Sequence, residues 1–197
     1  QVAENEDPYY KAKKYFNELV LDIYPDLKKQ VENSDDPFDK AVRFAIAGNI
    51  IDFGPKSSVN EAEIKTTVKN SLTDHLDPEK ITSFKKAVSE AQSILYLADN
   101  AGEIVLDHLL IEQLPAEKIT VAVRGYPIIN DATVEDAKQV GLDKIVEVID
   151  NGSNAPGTIL DTCSKTFIDR FEKADLIIAK GQGNYETLSG VDKKIVF

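Results

Sequence analysis

From residue 92 onward the chain alternates short runs of β-branched and aliphatic residues with amphipathic stretches, and that alternation constrains its fold more tightly than anything else. Runs at 94–98, 119–123, 145–149, 176–179 and 194–197 have the length of strands. Amphipathic segments near 103–113, 134–140 and 161–172, with a short one after Asn184, have the length of helices. Strands separated by helices are the signature of βαβ units and a parallel sheet.

The first part reads differently. Asp7-Pro8, Asp36-Pro37 and Asp77-Pro78 each set a capping residue before a proline, whose missing N–H costs nothing in a first helical turn. Asn60 with Glu63 forms a capping-box pair. From Pro37, the residues Phe38, Val42, Phe44, Ala45, Ile46, Ile50 and Ile51 predict a largely buried helix that ends near Phe53-Gly54. The expectation is an all-α helical domain over 1–91 and an α/β domain over 92–197, joined by a short linker around Glu90 to Ser93. The 197 residues contain no methionine and stop on a strand-like Lys194-Ile195-Val196-Phe197, so the sequence reads as incomplete at both ends.

Charge excludes several classes of partner. Asp and Glu number 34 against 23 Lys and Arg, a formal charge of -11, and no basic block interrupts that balance. Nucleic acid and anionic membrane surfaces are repelled by such a field. Cys163 is the only cysteine, so neither an internal disulfide nor a cysteine zinc cage can form within the sequence. No apolar run approaches the roughly 18 residues of a membrane span. The N-terminus lacks the pattern of a signal peptide, and the expected location is cytoplasmic.

In an open α/β sheet, ligands bind beyond the carboxyl ends of the strands. The segments there are Asp99-Asn100-Ala101-Gly102-Glu103, Arg124 through Asp131, Asp150 through Gly157, and Lys180 through Tyr185. Asp99, Asn100 and Asp131 offer two carboxylates and an amide oxygen, a set suited to a hard divalent cation. The same residues are good helix caps, Asp99 and Asn100 for the helix near Glu103, and Asn130 or Asp131 for the helix near Thr133. Sequence leaves both readings open. Lys180-Gly181-Gln182-Gly183-Asn184-Tyr185 places a cation and two glycines after a strand, where backbone amides can approach a phosphate or simply turn the chain. Asn151 through Gly157 carries the same two readings. Asn49 and Asp52 interrupt the apolar 46–53 stretch about one helical turn apart, either opening onto a pocket or ending the helix in solvent. His75 and His108 lack ligand spacing and are each expected to be a surface or partly packed residue. Cys163 is expected to be a small core residue.

Four segments in order, Gly48-Asn49-Ile50-Ile51-Asp52-Phe53, Asp99 through Glu103, Pro127 through Thr133, and Ala179 through Glu186, resemble the metal-dependent damage-control phosphatases, once called the DUF89 proteins, in their stand-alone archaeal and bacterial branch. The resemblance implies a Rossmann-like three-layer α/β/α domain with a mainly parallel sheet behind a helical domain. It further implies hydrolysis of small phosphorylated metabolites such as sugar phosphates with a divalent metal ion, Mn2+, Mg2+, Co2+ or Ni2+. By position, Asp99, Asn100 and Asp131 would be metal ligands and Lys180 the phosphate-holding lysine. Asn49, Asp52, Arg124, Gly181 and Asn184 would line the substrate site. The branch's N-terminal Cys-x-x-Cys pair and its further C-terminal strand and helix are missing from the sequence.

Two other functions fit the same loops. A non-catalytic nucleotide or phosphometabolite binding module would use them without turnover. A phosphoaspartyl phosphatase with Asp99 as nucleophile is weaker, because Ala101 stands where that chemistry needs a second aspartate. A methyltransferase has no support, since no glycine-rich adenosine-binding fingerprint follows the first strand.

Overall fold

A computed structural model describes residues 7–51 and 60–197. Five helices come first: α1 (Tyr10–Leu21), α2 (Tyr24–Glu32), α3 (Pro37–Ile50), α4 (Glu61–Ser71) and α5 (Pro78–Glu90). Strands and helices then alternate as β1 (Ile94–Leu97), α6 (Glu103–Ile111), β2 (Ile119–Val123), α7 (Val134–Gln139), β3 (Glu147–Asp150), α8 (Lys165–Lys173), β4 (Leu176–Ala179), α9 (Gln182–Leu188) and β5 (Ile195–Val196). The strands form one sheet in the order β3-β2-β1-β4-β5, and every adjacent pair is parallel. Chain direction across the sheet reverses between β1 and β4. The crevice between their carboxyl ends is where such a sheet accommodates a ligand.

Side chains sort by the two-residue period of a strand. Ile94, Tyr96, Val121, Leu176 and Ile178 face one cluster, in which they meet Phe16, Val20, Leu27, Phe44, Ile64 and Phe84 from α1 to α5. Leu95, Leu97, Ala122, Ile177 and Ala179 face the other, against Phe167 and Phe171 of α8 and Leu188 of α9. The sheet is thus covered on both faces, as all-parallel sheets are. Helix α6 lies innermost, with every one of its residues buried. A helix enclosed on all sides is normally apolar all round. This one buries Glu103, Asp107 and His108 as well.

Most local signals resolve as expected. Asp36 Oδ1 accepts the Asp39 N–H at 3.0 Å, Asp77 Oδ1 accepts that of Glu79 at 2.9 Å, and Asn60 and Glu63 make the reciprocal capping box. Asp7 bonds the Tyr9 N–H at 2.9 Å, but helix α1 begins only at Tyr10. Helix α3 stops at Ile50, where Ile51 turns extended, so it is shorter than the apolar pattern suggests. Phe53 and Gly54 lie outside the described residues. Ile50 is 59% exposed, because it faces away from α6 in that final turn. Strand β3 starts at Glu147, two residues late, because the turn at Leu142–Lys144 consumes the chain before it. Ser164, whose Oγ accepts the Phe167 N–H at 3.2 Å, starts α8 four residues later than the amphipathic pattern indicates. Residues 182–185 begin α9 instead of a loop. His108 is buried, not at the surface, its ring 5.2 Å from that of Tyr24, and burial lowers its pKa. Cys163 is half-buried at the edge of the second cluster. Among the described residues, no helix is long and apolar enough to cross a membrane.

Phe44 is fully buried on α3, in the cluster shared by the helices and the sheet. Phe44→Ala is expected to cost about 3–5 kcal/mol, read from the midpoint shift in urea unfolding.

Candidate active site

Asp99 and Asn100 follow β1 directly, and the turn they occupy is laced to the loop after β2. The Ala132 N–H donates to Asp99 O and the Ala101 N–H to Asn130 O, both at 2.8 Å, while Asn100 and Asp131 form an antiparallel bridge. The loop after β2 is closed further by the Arg124 N–H on Ala132 O at 2.9 Å. Ile129, two residues before Asp131, has φ of 45°, a conformation that a β-branched residue adopts only under constraint. Residues far apart in sequence are therefore set beside one another by backbone bonds alone.

The capping alternative is decided by the helix ends. Helix α6 has Gly102 at its N-cap, and that glycine's N–H donates to Asn17 Oδ1 at 2.7 Å. Asn17 belongs to α1 and is buried, with Nδ2 donating to Asp136 Oδ1 at 3.0 Å and Gln139 Oε1 at 2.9 Å. Helix α7 is capped by Thr133, whose N–H and hydroxyl donate to Asp136 Oδ2 at 2.9 and 2.8 Å. Neither Asp99, Asn100 nor Asp131 caps its helix by a side chain. Lys13, also buried, completes the cluster by pairing with Asp7 at 2.8 Å and Asp136 at 3.1 Å.

The polar side chains of the strand ends meet at β1 and β4. Asp99 Oδ2 accepts Asn100 Nδ2 at 2.7 Å, and the same amide nitrogen donates to Glu103 Oε2 at 3.2 Å. Asp131 Oδ2 accepts Arg124 Nε at 2.6 Å. No hydrogen bond from the described residues reaches Asp99 Oδ1 or Asp131 Oδ1. Gly181, at φ of 82°, lies so close to Asp99 that a Cβ there would stand 2.0 Å from Oδ2. Only glycine fits both its backbone angle and that contact.

The two expected phosphate cations are engaged elsewhere. Lys180 Nζ donates to Asp107 Oδ1 at 2.6 Å, Glu103 Oε1 at 2.7 Å and Ala45 O at 2.9 Å, which uses all three of its protons. Arg124 is buried, with Nε on Asp131 and Nη1 on the Gly157 carbonyl, and Nη2 has no hydrogen-bond partner among the described residues. Asn184 is buried too. Its Nδ2 donates to Lys180 O and its Oδ1 accepts Thr158 Oγ1, each at 2.7 Å, so it fastens the strand end to the 150s loop. The glycines of that loop serve close packing: a Cβ on Gly125 would meet Gly152, and one on Gly157 would meet Gly183 O. Asn49 is exposed in the last turn of α3, with no hydrogen bond to a described residue, and Asp52 lies outside the described residues. Asn17, Asp136, Glu103 and Asp107 were assigned no role from sequence; the buried polar positions on an otherwise apolar α6 were the signal available for the last two.

The family model described as the damage-control phosphatase ARMT1-like domain matches residues 1–196. This chain belongs to that family. A damage-control phosphatase from Archaeoglobus fulgidus is 43% identical over 200 residues, covering 98% of this chain and 68% of that protein. One from Pyrococcus horikoshii is 38% identical over 196 residues, covering 98% and 67%. An uncharacterised protein of Methanocaldococcus jannaschii is 40% identical over 205 residues, covering 99% and 66%. The crystal structure of a DUF89 family protein from Pyrococcus horikoshii superposes with a TM-score of 0.84 at 38% identity, over 97% of this chain and 67% of that one. The chain thus spans about two thirds of the length of these relatives.

In this family member the site carries more negative charge than its cations balance. Burial pushes the Asp99 carboxyl up to about 7, the charges of Glu103 and Asp131 push the same way, and Arg124 and Lys180 only partly oppose them. Burial also raises Asp131, against the charge and hydrogen bond of Arg124 and the charge of Lys13. Burial works against the Lys180 ammonium, but the carboxylates of Asp107 and Glu103 outweigh it and raise its pKa. Among the described residues, no three His, Cys, Asp or Glu side chains converge as a cage. A cation here would be held by two carboxylates, one carboxamide and water, the sparse oxygen set that Mg2+ and Mn2+ accept.

Asp99 holds its proton to about pH 7 in the fold, against an ordinary 3.8, so the folded state binds more protons than the unfolded one between those values. Its contribution to stability is present below the lower value and lost as pH rises through the upper. In metal-free buffer, Asp99→Asn is therefore expected to be more stable than the wild type at pH 8 and to lose that advantage by pH 4, as followed by urea unfolding.

Proposed function

We propose that this chain forms the active site of a divalent-metal-dependent phosphatase that hydrolyses phosphomonoesters of small metabolites, sugar phosphates among them. The observation that carries the reading is the pair of partly buried carboxylates, Asp99 and Asp131, joined through Asn100 and each with one oxygen that accepts no hydrogen bond from a described residue. Carboxylates aligned at a ligand-binding sheet edge, released from capping by Asn17 and Thr133, are a donor set in want of a cation. Two archaeal relatives named damage-control phosphatases support the same reaction class.

A divalent cation bound there would polarise phosphoryl oxygens and lower the pKa of a bound water. The residues around it divide the remaining work. Asp99 and Asp131, with the carbonyl oxygen of Asn100, hold the cation. Arg124 opposes the burial that raises Asp131 and has Nη2 left as a donor for phosphoryl charge. Lys180 acts through Glu103 and Asp107 by balancing their charge, and donates to phosphate only if the substrate displaces one of its three partners. A polar cleft of about 1020 Å3 between Arg124, Gly125, Asp150 and the first turn of α1 offers room for the rest of a metabolite. The net charge of -11 favours such a ligand, neutralised locally by metal, over nucleic acid or a membrane surface, and the lone cysteine suits the cytoplasm.

Phosphate release from p-nitrophenyl phosphate or sugar phosphates should rise on adding Mn2+, Co2+ or Mg2+ and vanish with EDTA. Asp99→Asn is expected to lower that metal-stimulated rate by more than about 100-fold. Retained nucleotide binding without any metal-stimulated release would identify a binding module instead, and undiminished turnover in Asp99→Asn would remove Asp99 from the site.

A further inference from the structure

Glu103 is fully buried, at 0% exposure, and the proposed reaction gives it no direct part. Its two oxygens have different partners. Oε1 takes Lys180 Nζ at 2.7 Å, and Oε2 takes Asn100 Nδ2 at 3.2 Å. Asn100 Nδ2 also donates to Asp99 Oδ2, so the amide nitrogen stands between two carboxylates. A carboxamide has two ends of similar shape and opposite polarity, and only the oxygen can ligate a cation. Turned the other way, Asn100 would set its oxygen against two carboxylate oxygens and its NH2 towards the metal.

We propose that Glu103 is the positioning residue that fixes which end of Asn100 faces the cation; the proposal rests on the metal-site reading above. Asp99 cannot do this alone, because a carboxylate that ligates metal gives up electron density that the amide would otherwise receive. Glu103 lies behind the site, where it is held by Lys180 and by the close approach of α3, whose Gly48 would place a Cβ 3.1 Å from Glu103 Cγ. Lys180 keeps the Glu103 oxygens oriented, so the lysine reaches the metal site through two hydrogen bonds in series. A glutamine at this position would present one amide end to Lys180 or Asn100, where only an acceptor fits both. The arrangement matches the partners that orient metal ligands in other proteins, whose loss weakens metal binding about 10–100-fold.

Orientation can be separated from folding by a double-mutant cycle on Mn2+ affinity, measured by titration calorimetry without substrate. Glu103→Gln is expected to raise the Mn2+ Kd by about 10–100-fold in the wild-type background. In Asn100→Asp, which has an oxygen at both ends and nothing to orient, the same change should alter Kd by less than about threefold. Equal losses in the two backgrounds, or none in either, would overturn the proposal while leaving the metal site standing. A wild-type protein that takes up no Mn2+ would overturn both. Should Glu103→Gln fail to fold, the wild type still decides. The Asn100 side-chain NH2 signals in 15N-labelled protein should exchange slowly with solvent both without metal and with Mg2+, and fast exchange like that of an exposed amide would refute the assignment.

Discussion

The ammonium of Lys180, buried among Asp107, Glu103 and the Ala45 carbonyl, is the interaction on which the arrangement of the site depends. Helix α6 lies between the α3 layer and the sheet with no face in water, and two carboxylates on it would not tolerate that position uncompensated. One lysine from the end of β4 supplies the counter-charge to both. It also bonds the backbone of α3, so three elements distant in sequence are fixed at one atom. Pairs of this kind give little net stability, because desolvation offsets most of the Coulomb gain, but losing one partner leaves a buried charge behind at a cost of about 3–5 kcal/mol. Asp107 and the Tyr96 hydroxyl, both fully buried, lie against one another, and burial raises the pKa of each.

Close backbone approach is the second constraint. The glycines after β3 and β4 read in sequence as possible phosphate cradles, and in the fold they are where loops touch: Gly152 against Gly125, Gly157 on Gly183, Gly181 on the Asp99 carboxylate. The same chemical property, absence of a Cβ, serves both purposes, so composition cannot tell them apart. Gly181 is the instructive case. It approaches the Asp99 carboxylate, at the oxygen that also accepts Asn100 Nδ2, and so limits where that carboxylate can lie.

What could be read directly from the sequence was local. The cap at Asp36, the capping box at Asn60 and Glu63, and strands at β1, β2 and β4 follow from patterns within a few residues, because propensity and period act over that range. Edge strand β3 was misplaced because its residues are only partly buried and its pattern is correspondingly weak. The site was legible as a set of strand ends, since parallel topology brings those ends to one edge. Its second layer was not. Asn17 bonds Gly102 across 85 residues and Lys180 bonds Glu103 across 77, and no local pattern specifies such a partner.

That limit bears on Asp99 and Asn100, whose two sequence readings were cap and ligand. Any Asp or Asn before a helix satisfies the first reading, and the rule that helix N-termini need acceptors makes it the default. The default fails here for a reason outside the segment: α1 delivers Asn17 Oδ1 to Gly102, and Asp136 and Thr133 satisfy the start of α7. Side-chain capping of both helices thus falls to other residues, while Asn100 serves α6 only through its backbone carbonyl, which accepts the Ile104 N–H at 3.0 Å. Oxygens at a helix start that are not needed as side-chain caps, and that accept no hydrogen bond from a described residue, are left available to the cation proposed above, which is why the distant cap at Asn17 bears on that proposal as much as Asp99 and Asn100 do.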